Sequence, residues 1–262
     1  MSDADTPSLI GSFASGADRY DRLRPGAPSE AVEFCVPLES ADVVDIGAGT
    51  GKLTAALVEH GHRVVAVEPS VSMREQLAAR LPSLTILDTR AEATGLPDHC
   101  VDVATFAQSW HWVDVPAASR ELTRIVRPGG FVSMLWTMLD DSVTWVARVQ
   151  DAMHDTPLAH QVRTHPGRGE DPWAHPPIGP FEPAQRHTTP WPLPMTKTDL
   201  RDLVTTRSYC LESGPREQAA LVKGVEQAIT AEWPDLNDHD FVDMPYTTTV
   251  LRYRRMLDSG QQ

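Results

Sequence analysis

A glycine-rich turn constrains what this chain can fold into more than any other stretch. Val43, Val44 and Ile46 belong to a short apolar run, glycine follows at positions 47, 49 and 51, and a helical pattern begins at once. Glycine has no Cβ, so the main chain of such a turn can lie very close to a ligand. The pattern predicts a buried strand, a ligand-binding loop and a helix, in that order.

The spacing of the glycines separates the ligands that use such loops. A phosphate-binding P-loop needs Gly, four residues and then Gly-Lys-Ser/Thr, but here Ile46 stands in place of the first Gly and Leu53 in place of the hydroxyl residue. The dinucleotide fingerprint needs its third Gly at position 52, which is Lys52. The remaining pattern is Asp-x-Gly-x-Gly-x-Gly, in which Asp45 stands two residues before the first Gly.

This pattern resembles motif I of the class I S-adenosylmethionine (SAM)-dependent methyltransferases. The resemblance implies an α/β, Rossmann-like fold: a seven-stranded, mostly parallel sheet with helices on both faces, an antiparallel last strand between strands five and six, and an irregular or helical substrate cap. It also implies that Asp45 accepts from the ammonium group of SAM, directly or through water. The loop residues implied in cofactor binding are Gly47, Ala48, Gly49 and Gly51.

An acidic residue closes the second predicted strand. Glu68 lies about 20 residues beyond the glycine loop, where open α/β sheets place an acid that binds the ribose. A carboxylate with two acceptor oxygens suits a vicinal diol. The resemblance adds Pro69 and Met73 to the cofactor site, with Met73 against adenine; packing of Met73 in the core is the alternative.

A second stretch carries the same resemblance. Ala91 and Glu92, followed after three residues by Leu-Pro, are similar to the family stretch Ala-Glu-x-x-x-Leu-Pro. The resemblance implies that the backbone at Ala91 bonds adenine and that Glu92 touches the ring edge. Arg90 departs from the family, which more usually has a small or acidic residue there. The string Glu-Leu-x-Arg-Ile-Val-Arg-Pro-Gly-Gly, which begins at Glu121, is a further family mark.

The fourth predicted strand, 101–107, is a nearly continuous apolar run, as expected of a parallel strand buried on both faces. Open α/β sheets bind ligands at the carboxyl ends of their strands. We therefore assign Gln108 to the cofactor site and Trp110, His111 and Trp112 to the acceptor. The cluster resembles the trans-aconitate and quinone-biosynthesis types of small-molecule methyltransferase. It lacks the Asn/Asp-Pro-Pro-aromatic sequence of enzymes that methylate exocyclic amines of DNA bases.

His111 is the predicted catalytic residue. Transfer from a sulfonium is an in-line displacement, so much of its rate can come from holding the acceptor in position. His111 would act as a general base toward a hydroxyl or protonated amine, as a hydrogen-bond donor toward a carboxylate, or as a packed residue of the pocket wall. These alternatives stay open, as does methylation at O or N, with C less favoured. Trp110 and Trp112 are expected to divide their roles, one facing the pocket and one the core.

The segment before the first strand contains Tyr-x-x-x-Arg-Pro. In small-molecule methyltransferases a similar element folds over the cofactor, which implies that Tyr20 and Arg24 cover the methionine moiety, with Arg24 close to its carboxylate. An N-terminal helix packed on the edge of the sheet is the alternative.

The composition of the chain excludes some classes of binding partner. The formal net charge of −13 and the pI near 5.1 argue against nucleic acid and anionic membranes, which attract clustered Lys and Arg. Three distant Cys and no Cys-x-x-Cys indicate neither a disulfide framework nor a zinc site. The polar start of the chain and the lack of an apolar run of ~18 residues predict a soluble, cytoplasmic protein. The resemblance implies that its acceptor is a small molecule, and its oligomeric state stays open.

We predict a single methyltransferase domain over 1–262. It comprises an N-terminal lid and helix (1–40), a SAM-binding core (41–137) and a C-terminal part (138–262) with a cap at about 156–233 and a final strand.

Within the C-terminal part, the Pro-rich stretch 156–195 is expected to be irregular, with one strand at about 181–189, because Pro disfavours long helices and central strands. The histidines of this region have spacings that match no standard metal site, so we predict none. They are His154, His160, His165, His175 and His187.

Two other functional classes remain possible from the sequence. One is a SAM-binding protein that transfers no methyl group. The other is an enzyme of the Rossmann type that binds NAD or a nucleotide sugar.

Overall fold

The computed structural model describes residues 23–155 and 175–257, and every structural statement below concerns those residues. The strands are β1 (Asp42–Ile46), β2 (Arg63–Val67), β3 (Thr85–Leu87), β4 (Val101–Ala107), β5 (Val126–Leu139), β6 (Gln185–Thr196) and β7 (Phe241–Arg254). The helices are α1 (Ser29–Cys35), α2 (Lys52–Glu59), α3 (Val71–Arg80), α4 (Val115–Ile125), α5 (Thr144–Met153), α6 (Lys197–Asp202), α7 (Ser208–Glu212) and α8 (Pro215–Glu232). Two 3₁₀ turns occupy Trp110–Trp112 and Leu203–Thr206.

The strands form one seven-stranded sheet in the order β3-β2-β1-β4-β5-β7-β6. The first five strands are parallel, and β1 lies between β2 and β4. Strand order reverses at β1 and β4, since the chain moves outward from β1 to β3 and then returns to the other side at β4. In open α/β sheets such a switch point is where ligands bind.

The last strand is antiparallel to both of its neighbours. Against β5, Arg255 exchanges backbone bonds with residues 129 and 130, while Asp140 N donates to Pro245 O at 3.0 Å. Against β6, the hydroxyls of Thr188 and Thr249 lie 3.0 Å apart, and Lys197 N donates to Asp240 O at 3.2 Å. Residue numbers rise on one strand as they fall on the other, so the fold predicted from the sequence is confirmed, including the position of the last strand.

The described chain divides into two compact units, and the division falls within β5, β6 and β7. Unit A comprises 23–25, 138–155 and 190–247, and unit B comprises 26–137, 175–189 and 248–257. The prediction of a single domain whose C-terminal part carries a cap at about 156–233 stays a prediction, and residues 156–174 lie outside the described residues.

Unit B has an apolar core on each face of its sheet. Val43 on β1 and Val103 on β4 pack with α1 and α2. Val44 and Phe106, which point the other way on the same two strands, pack with Leu122 and its neighbours on α4. Alternate side chains of a strand face opposite sides of the sheet, so strands with apolar side chains on both sides can bury both faces.

Unit A is built around helices α5 and α8. Val146, Val149 and Met153 on α5 share one core cluster with Leu221 and Val225 on α8. The spacings of three and four residues place each set on one face of its helix. No described helix is long and apolar enough to cross a membrane.

The prediction for the Pro-rich stretch was wrong in its strand bounds. Strand β6 runs on through Pro190, Pro192 and Pro194, past the expected end at 189. Because the three prolines alternate, their missing N–H groups all point to one side, and β6 is the edge of the sheet. The residues that alternate with them, Trp191, Leu193 and Met195, are buried or half-buried. A strand with one unpaired side tolerates proline there.

The segment after β6 is not one continuous helix but is divided into α6, a 3₁₀ turn and α7. The hydroxyls of Thr205 and Thr206 donate to the carbonyls of Asp202 and Leu203 at 2.6 and 2.7 Å. Hydroxyls that bond the backbone three residues back compete with regular helical bonding and so favour a change of direction.

Gly130 provides a test of the β4–β5 packing. A Cβ at this position would lie 2.5 Å from the carbonyl oxygen of Asp102 and 2.9 Å from that of Arg127, and neither backbone atom can move away easily. We expect Gly130→Ala to lower the free energy of unfolding by about 2 kcal/mol or more, measured by urea denaturation. Gly214→Ala, where a Cβ meets nothing within 4 Å, is the control; equal stability of the two variants would contradict this packing.

Candidate active site

The glycine loop joins β1 to α2 with a left-handed backbone at all three glycines. Their φ angles are 69° at Gly47, 58° at Gly49 and 84° at Gly51. The N–H groups of Gly47 and Ala48 both donate to Val67 O, at 2.8 and 3.1 Å, so the loop is fixed to the end of β2. Such φ angles are strained for residues with a Cβ, which explains why glycine occupies all three positions.

The three glycines have different surroundings. A Cβ on Gly47 would meet the side chain of Ser109, 2.5 Å away, and one on Gly51 would collide with Leu77. A Cβ on Gly49 would meet nothing within 4 Å. The loop is therefore packed against protein at both ends and faces open space at its middle glycine, where a ligand has room.

Glu68 is joined to this loop. Its Oε2 accepts from Gly49 N at 2.8 Å and its Oε1 from Ser70 N at 2.8 Å. The side chain is buried, and burial raises the pKa of the carboxyl while the two N–H bonds oppose that shift. Each carboxylate oxygen has two acceptor sites, so Glu68 keeps capacity for further donors. The structure thus brings the predicted ribose ligand and the glycine loop into contact.

Asp45 lies beneath the loop with no exposed surface. Thr54 Oγ1 donates to its Oδ2 at 2.6 Å and Thr105 Oγ1 to its Oδ1 at 3.0 Å. Burial raises the pKa of the carboxyl to about 6, against the lowering effect of the two hydroxyls. These bonds fasten β1 to α2 and to β4. The contact between Asp45 and a cofactor ammonium stays a prediction.

The predicted adenine residues lie along the next edge of the sheet. Met73 on α3 and Ala91 after β3 are buried, at 8% and 6% exposure, and Pro69 is half-buried. Glu92 Oε1 accepts from Asp114 N at 2.8 Å, so the backbone at Asp114 already uses one of its oxygens. This bond links the stretch after β3 to the start of α4. Contact of these residues with adenine stays a prediction.

The three aromatic residues predicted to bind the acceptor, which follow β4, differ in how deeply they are buried. Trp110 is 2% exposed, packs edge-on against Phe106 and donates from Nε1 to His175 O at 2.6 Å, so it belongs to the core. His111 is exposed and Trp112 is half-exposed, with their rings 4.9 Å apart. Of the two tryptophans, Trp110 is thus the one that packs in the core.

Gln108 is held in an unusual backbone conformation at this strand end. Its φ of 56° is left-handed, which is uncommon for a residue with a Cβ. Gln108 N donates to Leu135 O at 2.9 Å and Nε2 to Thr137 O at 2.7 Å, so bonds to β5 maintain the conformation. The side-chain Oε1 remains as an acceptor. Strained backbone of this kind is often found at functional sites.

Sequence reasoning missed Ser109, whose Oγ donates to Ile46 O at 2.7 Å and whose side chain abuts Gly47. It also missed Thr54 and Thr105. Small hydroxyl residues give no distinctive signal in a sequence, although Thr105 within a mostly apolar strand is one that could have been noticed.

Comparison with known proteins identifies the family of this chain. Residues 44–134 match the family model described as a methyltransferase domain. An uncharacterized methyltransferase of Mycobacterium tuberculosis H37Rv is 37% identical over 243 residues, covering 92% of this chain and 94% of that protein. This chain belongs to the class I SAM-dependent methyltransferases. The family predicted from the sequence is confirmed, and the small-molecule subtype stays a prediction.

Two further proteins resemble this methyltransferase. A solved structure described as a type II methyltransferase from Anaeromyxobacter dehalogenans superposes with a TM-score of 0.70 and 26% identity, covering 90% of this chain and 99% of that one. A malonyl-[acyl-carrier protein] O-methyltransferase of Pectobacterium atrosepticum is 29% identical over 166 residues, covering 60% of this chain and 64% of that protein.

Two of the predicted cofactor residues of the methyltransferase belong to the segment before the first strand. Tyr20 is outside the described residues. Arg24 belongs to unit A, where its Nη2 donates to Thr206 O at 3.2 Å. Contact of Arg24 with the cofactor carboxylate stays a prediction.

The histidines give the methyltransferase no metal site among the described residues. His187 Nε2 lies 2.8 Å from Glu30 Oε1, and a ring nitrogen of His154 bonds the carbonyl of Gln150 at 2.7 Å. His175 contributes its carbonyl to Trp110, and His160 and His165 lie outside the described residues.

The pKa of Asp45 makes the stability of the methyltransferase depend on pH. Between its ordinary value of 3.8 and the folded value of about 6, the folded state binds the proton more tightly than the unfolded chain. The free energy of unfolding therefore falls as pH rises through this interval, by about 3 kcal/mol. Asp45→Asn removes the titration, and we expect its stability to lose this part of the pH dependence in urea denaturation from pH 4 to 7.

Asp141→Asn, on an exposed residue, is the matched control and should keep the wild-type profile. A wild-type profile in Asp45→Asn would show that the carboxyl does not titrate in this range.

Proposed function

We propose that this methyltransferase binds SAM across the glycine loop and Glu68, and transfers the methyl group to an oxygen or nitrogen of a small-molecule acceptor. The observation that supports this most is the hydrogen bond from Gly49 N–H to Glu68 Oε2, beside open space at Gly49. It gives one surface a main chain without Cβ and a carboxylate with spare acceptor sites. Such a surface suits a nucleoside whose ribose hydroxyls need acceptors.

The residues after β4 support a position for the methyl acceptor. Gln108 and His111 follow a strand that lies beside β1 in the sheet, so they lie at the same carboxyl edge as the glycine loop. The acceptor would be placed there, with its reacting atom opposite the sulfur of SAM. Holding the two reactants in line supplies much of the rate in a displacement of this kind.

The role of His111 follows from its exposure. A ring open to solvent favours contact with the acceptor over packing in a wall. We propose that His111 accepts the proton of a hydroxyl or amine acceptor, because an ordinary imidazole titrates near neutral pH. The similar malonyl-[acyl-carrier protein] enzyme is named an O-methyltransferase, which favours oxygen over nitrogen.

Loss of the Glu68 carboxylate tests the cofactor site. Glu68→Ala leaves the ribose hydroxyls without their acceptor, and we expect weaker binding of SAM by about 1 to 3 kcal/mol, measured by isothermal titration calorimetry. Glu75→Ala removes an exposed carboxylate on α3 and should bind SAM as the wild type does. An unchanged dissociation constant in Glu68→Ala would show that Glu68 is not the ribose ligand.

Loss of the imidazole tests the acceptor side. His111→Ala should lower turnover by about 10²-fold or more if the ring is the general base, while the dissociation constant for SAM stays within about twofold of the wild type. Turnover is followed with labelled SAM and a panel of phenols, acids and amines. His111→Gln keeps a hydrogen-bond donor without a base in this pH range.

The Gln variant separates the two roles of His111, since a positioning donor alone would let it recover most of the rate. Tight SAM binding without transfer to any acceptor, in the wild type, would instead favour a SAM-binding protein that transfers no methyl group. Tighter binding of NAD than of SAM would overturn the proposed function.

A further inference from the structure

Helix α4 carries a carboxylate on its buried face. Ala118, Leu122 and Ile125 on this helix have no exposed surface, and Glu121 is only 8% exposed. Carboxylates are seldom buried unless they are paired or hydrogen-bonded, because removing their charge from water is costly. The partners of Glu121 therefore indicate what it contributes to unit B.

Both oxygens of Glu121 are hydrogen-bonded. Oε1 accepts from Thr94 N at 2.8 Å and from Thr94 Oγ1 at 2.5 Å. Arg124 donates to both oxygens, from Nε to Oε2 at 2.9 Å and from Nη2 to Oε1 at 2.7 Å. Burial raises the pKa of the Glu121 carboxyl, but the bonds from Arg124 and Thr94 outweigh burial and hold the pKa below its ordinary value. The ionised carboxylate thus fastens α4 to Thr94.

Thr94 belongs to the stretch after β3, residues 89–96, which we name the post-β3 segment. Thr94 is 1% exposed. Its carbonyl accepts from Thr89 Oγ1 at 3.2 Å, and its hydroxyl accepts from Leu96 N at 3.3 Å while it donates to the carboxylate on α4. Ala91 lies within the turn that the Thr89 bond closes. The bonds of Thr94 therefore set the position of the backbone at Ala91.

The post-β3 segment adjoins the proposed ribose ligand. Glu68 N donates to Leu87 O at 3.1 Å, so the ends of β2 and β3 lie side by side. Glu92 Oε1 accepts from Asp114 N at 2.8 Å and fastens the same segment to the start of α4. Ligands of open α/β sheets lie across the carboxyl ends of the strands. A nucleobase whose ribose is bound at Glu68 would therefore lie against the post-β3 segment.

We propose that Glu121 is a positioning residue for the nucleobase of the cofactor: by accepting from both donors of Thr94, it holds the backbone at Ala91 where it can hydrogen-bond adenine. Glu121 acts through Thr94 and does not itself touch the base. Hydrogen bonds weaken steeply when their geometry is distorted, so a displaced segment would lose the bonds that distinguish adenine while the ring could still pack. The inference rests on the proposed function, which supplies the cofactor.

Isothermal titration calorimetry on the full chain tests this role with two ligands. S-adenosylhomocysteine carries adenine, and S-inosylhomocysteine carries hypoxanthine, in which a carbonyl replaces the amino group and N1 bears a proton. We expect the wild type to bind the adenosyl compound at least about tenfold more tightly, because the inosyl compound leaves groups that bond adenine unpaired. In Glu121→Ala this preference should fall to about threefold or less, since a displaced backbone bonds neither purine well.

Three further variants separate positioning from stability. Glu121→Gln keeps an oxygen that can accept from Thr94 but loses the ion pair with Arg124, so it should keep the wild-type preference at a lower melting temperature. Arg124→Gln breaks the same ion pair and leaves the bonds from Thr94 in place, with the same expected result. Thr94→Val removes one of the two donors to Glu121 and should lower the preference several-fold.

Equal binding of the two compounds by the wild type, or a wild-type preference retained in Glu121→Ala, would overturn the inference and leave the proposed function in place. A preference lost to the same extent in Arg124→Gln would overturn it as well, because the effect would then follow stability. If Glu121→Ala does not fold, Thr94→Val decides alone, and an unchanged preference there contradicts the inference. A wild type that binds neither compound contradicts the proposed function, and the inference fails with it.

Discussion

The hydrogen bond between Gly49 N–H and Glu68 Oε2 joins the two elements on which the cofactor site depends. It connects the loop after β1 to the end of β2, which are neighbours in the sheet. The loop can approach only because Gly47 and Gly51 leave room for Ser109 and Leu77. The position of the carboxylate is therefore set by packing that involves β4 and α3, and a change in either would move the acceptor atoms of Glu68.

Asp45 makes the structure beneath the loop rigid, and burying its carboxyl costs free energy. A carboxyl without exposed surface resists ionisation, which is why its pKa rises to about 6. The hydroxyls of Thr54 and Thr105 offset part of that cost and in return tie β1 to α2 and β4. Buried polar groups that are fully hydrogen-bonded favour one arrangement of the chain. Asp45 thus contributes to the geometry of the site from beneath, whatever it contacts when the cofactor is bound.

The parallel half of the fold could be read from the sequence because its signals are local. The bounds of β4 match the apolar run predicted for it, and β1 and β2 end where the glycine loop and Glu68 were predicted to follow them, since strands buried on both faces are largely apolar and end at turn residues. Strand β6 gives a contrary signal, because its prolines are compatible with a strand only where one side is unpaired. Its position at the edge depends on β7, some 50 residues later, which no local window contains. Thr105 and Asp45 are likewise 60 residues apart, so no local window contains that pair.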